Sequence, residues 1–546
     1  MASQNIPSAL SKCHIDSERY PLNMSGIMPH ISPEFLKGLN EQLDDVAPEL
    51  FRKTEDRVEI PWRDNGVASN DDLEKLNIQS SRDLTDMMRF DVDSATKVVT
   101  ASQHDPQCRF IYLFGNTSLS VLNITRPMFT RILTFHQVMP AYLEFVMAFG
   151  MQEEPKDLRF SSFKKQICLS PSARLPDISD LGRSGQQYQL CYNLKHIERD
   201  GEGFTLIRQA AIHHQFDVVT GKTLWIVTAG RRNLQERYKS KHRSTHVKHT
   251  CLTFSGLTGA NGRPQDKSFD NPLECFYSSL AAHTMFCSWS TENWRWYIKW
   301  LENHLEEATG LVVHGPRGES EHHQNYRPGD LQTLQRHEDM VHETIAALEA
   351  NRRVINSLQQ FYSSLKNNPN FPLRSNGAEY VDTFSDQLDN FLTDLEHLIQ
   401  RASTLLKIMN GRKNLVSQHY QSQSTENMEK MNRNMERETI LVRIVTIVTL
   451  IYLPATFVST FFSTDVIKYQ TGENFSYTAM VRWLQVALPL TALTLLLAWL
   501  WNRTAKQKLS FGGKPHWPSA WFTREQRSPI LPLHNQKQPI QQISIP

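Results

Sequence analysis

The chain has 546 residues, a formal net charge of +2 and 21% charged residues. That length allows two or three domains, and that balance of charge creates no field favouring nucleic acid or a strongly acidic partner. Seven scattered cysteines (Cys13, Cys108, Cys168, Cys191, Cys251, Cys275 and Cys287) include no C-x-x-C pair, which argues against a zinc ribbon or a disulfide framework and for a reduced, cytosolic setting.

Residues 1–30 show no apolar run and no periodicity, so they read as a disordered leader without a secretory signal. Asp16 and Glu18 also argue against a transit peptide. Pro33 to Ala47 is a candidate amphipathic helix, with Phe35, Leu36, Leu39, Leu43 and Val46 on one face and Ser32 as N-cap before Pro33. Arg109–Phe114 (RFIYLF) is a short apolar strand. Pro127–Phe149 has helical spacing interrupted by Pro140. Tyr188–Ile197 and Phe204–Phe216 read as strands joined by Asp200-Gly201-Glu202-Gly203, and Thr220-Gly221-Lys222 turns the chain into Leu224–Val227. Residues 31–329 are therefore expected to form a cytosolic α/β domain, its core extending to an aromatic helix over Trp289–Leu305.

From 330 to 439 the pattern is helix only, a predicted stalk. Leu331, Leu334, Val341, Ile345, Leu348, Ile355 and Tyr362 follow steps of three and four. Asn368-Pro369-Asn370-Phe371-Pro372 breaks that helix, and a second restarts near Ala378. It meets no proline before Pro454. If unbroken, about 85 residues at 1.5 Å each give a rod of about 130 Å entering a membrane, with Gly411 as its weak point.

Ile444–Ser463 carries no charge and is long enough to cross a bilayer, and Trp483–Trp501 is a second such segment with Trp at both ends. The predicted spans are 440–463 and 481–501, joined by a short non-cytosolic loop, 464–480. The tail, 502–546, is Pro- and Gln-rich from Ser510 and reads as disordered. Lys430, Arg433, Arg437 and Arg443 precede the first span, and Arg503, Lys506, Lys508 and Lys514 follow the second. This predicts a multi-pass protein of the plasma membrane or an endomembrane, with both termini cytosolic. The bland alternative is two buried helices of a soluble protein.

The first span carries the chemistry. Steps from Thr446 read Thr446, Thr449, Leu453, Thr456, Thr460 and Ser463, five hydroxyls on one stripe. Such a stripe fits either tight helix packing or the wall of a wetted pore. Pro454 leaves the Leu450 carbonyl without its helical partner, which is tolerated where protein or water satisfies it. Asp465 stands beyond the stripe, where a carboxylate ring would attract cations.

Residues 451–466, IYLPATFVSTFFSTDV, resemble the pore-helix end of the CorA-like divalent-metal transporters, whose pattern is roughly P-x-T-F-[IV]-x-x-x-[YF]-G-M-N. Pro454, Thr456, Phe457, Val458 and Phe462 stand in matching places. The order of parts is also similar, most closely to the fungal CorA-like proteins. The resemblance implies a homo-oligomer, a pentamer, in the lipid bilayer that passes divalent cations, Mg²⁺ first among them, with no cofactor. It implies pore-facing positions at Val442, Leu453, Thr456, Thr460 and Ser463, with Val442 and Leu453 as apolar gates. The family's G-M-N falls on Ser463-Thr464-Asp465, so Asp465 would be the metal-attracting residue and Mg²⁺ preference is open. A non-conducting, membrane-anchored sensor or scaffold is the rival reading.

Other signals are weaker. His337 and His342 are five apart and about 140° round a helix, the wrong spacing for a zinc protease. His242, His246, His249 and Cys251 sit among seven Lys and Arg residues that would repel a metal. Asn474, Asn116 and Asn123 match glycosylation sequons, the first too near the spans and the others facing the cytosol. No P-loop, nucleophile elbow or dinucleotide fingerprint supports an enzyme.

Overall fold

A computed structural model describes residues 8–511 apart from 29–30, 66–73, 89, 93–98, 102–103, 118, 152–158, 171, 201–202, 231–268, 270, 315–325 and 464–476. Its chain forms two compact units, Met1–Gln421 and Ser422–Pro546. The His242, His246, His249 and Cys251 group, Thr464, Asp465, Asn474 and the tail beyond Phe511 lie outside the described residues.

The first unit opens with α1 (Ser8–Ile15) and α2 (Pro33–Leu50), followed by β1 (Phe51–Arg52), β2 (Ile60–Asn65), β3 (Glu74–Ile78) and α3 (Ser81–Met88). A small hairpin, β4 (Phe90–Val92) and β5 (Val99–Ala101), precedes β6 (Cys108–Phe114), β7 (Leu122–Thr125), α4 (Arg126–Phe135) and α5 (Tyr142–Val146). Then come β8 (Phe163–Cys168), β9 (Gln187–Asp200), β10 (Gly203–Asp217) and β11 (Thr223–Ala229). Seven strands make one sheet in the order β3-β2-β6-β11-β10-β9-β8. Only β6 and β11 run parallel in it, Cys108 opposite Thr223 and Phe114 opposite Ala229.

Strand alternation gives the sheet two apolar faces. Ile111, Leu113, Cys191, Ala211 and Ile226 pack with Leu43, Phe129, Ile132, Tyr142 and Phe145 from α2, α4 and α5. Phe110, Tyr112, Tyr188, Tyr192, Ile212 and Trp225 face the opposite layer. That layer holds α6 (Pro272–Thr291), α7 (Trp294–His314), α8 (Pro328–Lys366) and the first part of α9 (Ala378–Ser463). Each large side chain sealed in these cores contributes about 1.5–3 kcal/mol against its exposed state.

A chain of buried rings ties sheet to helices. The Trp225 ring stacks on His214 at 4.0 Å between centroids. His283 on α6 places Nε2 3.0 Å from His214 Nδ1 and Nδ1 2.7 Å from the Tyr192 hydroxyl. Burial holds these imidazoles neutral: His283 is pushed down to about 3, and His214 well below its ordinary value, the neighbouring His283 adding to desolvation.

Several expectations need correction. The predicted leader is built into the core from Cys13 onward. Cys13, Tyr20, Met24, Ile27 and Met28 are buried, and the Tyr20 hydroxyl donates to Val138 O at 2.9 Å. After α1 the chain follows short 3₁₀ turns, which show neither helical nor strand periodicity. Ser32 caps α2 as expected, its hydroxyl accepting from Phe35 N at 3.2 Å, but Phe35 itself is 41% exposed and the helix continues to Leu50. The single aromatic helix over Trp289–Leu305 is two helices, broken where Asn293 adopts a left-handed conformation at φ 67° and α7 begins.

The boundary expected at 329/330 is absent. Leu334, Val341, Leu348, Ile355 and Tyr362 of α8, seven residues apart, are buried in the same cluster as Tyr188 and Trp225. Phe384, Leu388, Leu395, Ala402, Leu405 and Met409 of α9 join them. The heptad spacing is thus mainly an intramolecular seam that closes the α/β core. Helix α9 passes Gly411 without a break, and from Ser422 to Thr449 its residues are almost all exposed. In the second unit, α10 spans Tyr477–Phe511. The loop is therefore already helical at Tyr477. Asn502–Phe511, predicted as tail, continue the helix, because no proline intervenes before Pro515.

Candidate ion pathway

The apolar ends of α9 and α10 are helices long enough to cross a membrane, and only 6% of each apolar window is buried by the rest of the described chain. That answers the soluble alternative, since a core helix would be buried on most of its surface.

Within the second unit the two helices meet on one face of α9. Pro454 and Val458 are buried there, as is Ala487 on α10. The Trp483 indole N–H donates to Ser459 Oγ at 3.1 Å. Thr456 and Thr460 are each two residues from Val458, about 160° away around the helix. The sequence-predicted residues Thr446, Thr449, Leu453, Thr456, Thr460 and Ser463 are all exposed, Leu453 at 70%. Val442 is 65% exposed in the same register. Packing between the two spans therefore uses Pro454, Val458 and Ala487 and leaves the hydroxyl stripe open. Pro454 also faces the second helix, not the stripe.

The hydroxyl protons are committed to the helix itself. Thr446 donates to Val442 O at 2.7 Å, and Thr449 to Val445 O at 3.0 Å. Thr456 donates to Tyr452 O at 3.0 Å, and Thr460 to Thr456 O at 3.0 Å. An oxygen whose proton is turned inward presents lone pairs outward, the polarity that a cation or the protons of its water shell require.

Between Ser422 and Thr449 every face of α9 is exposed, so exposure alone marks no stripe there. Among the described residues, no group of three His, Cys, Asp or Glu side chains is arranged to hold a metal ion. His337 lies beside His304, their ring centroids 5.6 Å apart, while His342 is exposed.

Residues 12–313 match the family described as CorA-like transporters. Among solved structures, the CorA magnesium transporter of Methanocaldococcus jannaschii is similar at 12% identity, covering 81% of this chain and 97% of that one, with a TM-score of 0.31. The full-length CmaX protein matches at 12% identity over 83% and 99%, with a TM-score of 0.27. The cytoplasmic domain of ZntB from Vibrio parahaemolyticus RIMD 2210633 matches at 9% identity over 65% and 98%, with a TM-score of 0.30. No curated protein matches. The family match spans more than half of the 546 residues and ends before the apolar helices. This chain, with two membrane-length helices after its α/β unit, belongs to the CorA-like transporter family.

Proposed function

We propose that this protein is a passive pathway for divalent metal cations, formed by several copies whose α9 stripes surround water. One observation carries the reading: the hydroxyl stripe lies opposite the face that packs on α10. A single helix cannot enclose a path, so copies of the chain must supply the remaining wall, and family resemblance favours five. Thr446, Thr449, Thr456, Thr460 and Ser463 would offer oxygens to a hydrated ion. Val442 and Leu453 would be apolar constrictions that gate by dewetting. Ser463, Thr464 and Asp465 would form the outer mouth, with Asp465 attracting the cation. Mg²⁺ keeps its water shell tenaciously, so wall hydroxyls and an outer-sphere carboxylate suit it as cargo.

The rival, a non-conducting sensor or scaffold anchored by its spans, draws on Ser463-Thr464-Asp465 standing where the family pattern has Gly-Met-Asn. Uptake of Mg²⁺, Zn²⁺, Co²⁺ and Ni²⁺ into proteoliposomes carrying the purified chain decides between them. Saturable uptake of at least one metal above empty liposomes is expected. No uptake of any metal, from preparations that native mass spectrometry shows to be closed oligomers, would leave the scaffold reading.

A further inference from the structure

At the end of the sheet where β9 and β11 begin and β10 ends, a cavity of about 30 Å³ is lined by Asp105, His136, Arg183, Gln187, Gln215 and Lys222, with Arg109 and Asp217 beside them. Four of its lining side chains carry buried polar atoms without a partner: Arg183 Nη2, Gln187 Nε2, His136 Nε2 and Gln215 Oε1. These residues are at most 7% exposed. Orphaned buried polar atoms are costly, and four around one cavity, two of them (Arg183 Nη2 and Gln187 Nε2) obligate donors, indicate an occupant that satisfies them.

The carboxylates nearby are already engaged. Asp105 accepts from Arg183 Nε at 2.6 Å, with Arg109 Nη1 at 3.5 Å. Asp217 accepts from Ser184 N and Oγ at 2.7 and 2.8 Å, and from Val219 N and Thr220 N at 3.0 and 2.9 Å. Asp64 is held by the guanidinium fork of Arg109 at 2.7 and 2.9 Å. The Lys222 ammonium uses one proton on the Asp105 carbonyl. Arg109, Arg183 and Lys222 are thus matched in number by Asp64, Asp105 and Asp217, and what the lining leaves open includes two obligate donors, Arg183 Nη2 and Gln187 Nε2. His136 reflects the same field: burial, then Arg109 and Arg183, hold it well below its ordinary value. Gln215 Oε1 is an open acceptor, while Gln215 Nε2 donates to Gln187 Oε1 at 2.8 Å.

We infer that this cavity is a binding site for one small monatomic anion of the halide class, held by Arg183, Gln187 and Lys222. Its volume of about 30 Å³ is room for a water-sized occupant, which a monatomic anion matches. The anion would tie the start of β9 to the β10–β11 turn and so stabilise the α/β unit, independently of conduction.

The test uses the full chain in mild detergent, with thermal unfolding followed at constant ionic strength while sodium gluconate is replaced by sodium chloride. A saturable rise in midpoint of about 2–4 °C is expected. Gln187→Glu keeps the size of the side chain and the acceptor used by Gln215, but sets a carboxylate oxygen where the anion would sit. In that variant the chloride response should disappear. Bromide should substitute for chloride and give an anomalous diffraction peak beside Arg183. A natural chain indifferent to chloride, or an equal response in Gln187→Glu, overturns the proposal and leaves the cavity to a single water. Should Gln187→Glu not fold, the chloride response of the natural chain together with the bromide peak decides.

Discussion

Asn351 exchanges two hydrogen bonds with the backbone of Lys195: its Oδ1 accepts from Lys195 N at 2.8 Å, and its Nδ2 donates to Lys195 O at 2.7 Å. β8 pairs with β9 only from Gln187 to Tyr192. Beyond that point a side-chain amide on α8 takes the place of the next strand, closing an edge that would otherwise be buried unpaired. Asn351→Ala should lower stability by about 2–4 kcal/mol, because it strands a buried N–H and a buried C=O. Asn351→Asp should cost as much or more, since it keeps the acceptor but loses the donor and buries a charge. Thermal unfolding of both variants checks this. A loss below about 1 kcal/mol in Asn351→Ala would mean that water replaces the amide there.

The buried histidines set the acid limit of the fold. His213 and His283 are each pushed down to about 3 by burial, and His214 is also well below its ordinary value. In the unfolded chain these rings titrate near ~6.5. Above that pH both states are neutral and nothing is lost. Below it the unfolded chain takes up protons that the folded chain refuses, so stability falls as pH drops from ~6.5 towards ~3, by about 1.4 kcal/mol per pH unit for each ring. The unfolding midpoint should thus be nearly flat from pH 7.5 to 7 and fall steeply from pH 6 to 5. His213→Gln should reduce that slope, and an unchanged slope would show that its ring is not among those titrating.

Much of the α/β unit was legible because its strands are continuous apolar runs. RFIYLF and the pair separated by Asp200-Gly201-Glu202-Gly203 became β6, β9 and β10 with ends moved by only a few residues. The heptad of α8 was legible as helix but misleading as a stalk. Leu348 and Tyr362 have the spacing of a coiled-coil seam, yet the surface they meet is a sheet, and periodicity does not name the partner. Residues 17–26 were illegible because their 3₁₀ turns give no period. The candidate pathway was legible as a stripe, since hydroxyls at steps of three and four stand out against Ile, Val and Phe. Which face of α9 meets α10 was not legible, because Val458 and Phe457 are equally apolar in sequence and differ only in burial. The motif resemblance lies at 451–466, whereas the family match lies at 12–313, so the two are independent pointers to the same family.

The two faces of α9 predict different chemistry for introduced cysteines. Leu453→Cys, Thr456→Cys and Thr460→Cys should react with a small, water-soluble, cationic thiol reagent, and modification should cut metal uptake at least tenfold. Val458→Cys, on the buried face, should be protected and leave uptake unchanged. Equal protection at all four positions would place the stripe in a dry interface instead of a wetted path.

Basic residues flank both spans on the same side, Arg437 and Arg443 before the first and Arg503 and Lys506 after the second. Both termini should therefore face the cytosol. Gly472→Cys should be labelled in intact cells by a membrane-impermeant thiol reagent, and a cysteine replacing Pro515 should be labelled only after permeabilisation. The reverse pattern would invert the orientation.

Asp465 is where the chain departs most from its family's pattern, and its replacement separates selectivity from structure. A ring of carboxylates at the mouth would concentrate cations through exposed charge, which salt screens over ~8–10 Å at 0.1–0.15 M. Asp465→Asn should therefore lower divalent uptake severalfold at low ionic strength and much less at high salt. The same change restores a neutral carbonyl oxygen, so the ratio of Mg²⁺ to Ni²⁺ or Zn²⁺ flux should rise, because those metals hold carboxylate and nitrogen sites more tightly. The plainer role for Asp465 is local, capping the helix end or pairing with Lys468. In that case the substitution costs at most about 1 kcal/mol of stability and leaves ion preference alone. Flux ratios for two metals, measured in the natural chain and in Asp465→Asn at matched protein content and at two salt concentrations, distinguish these roles. Ratios that do not move at either salt level would remove Asp465 from the selectivity mechanism. Preference would then rest with the wall oxygens of Thr456, Thr460 and Ser463, whose protons are drawn back or free to turn but whose charge is zero.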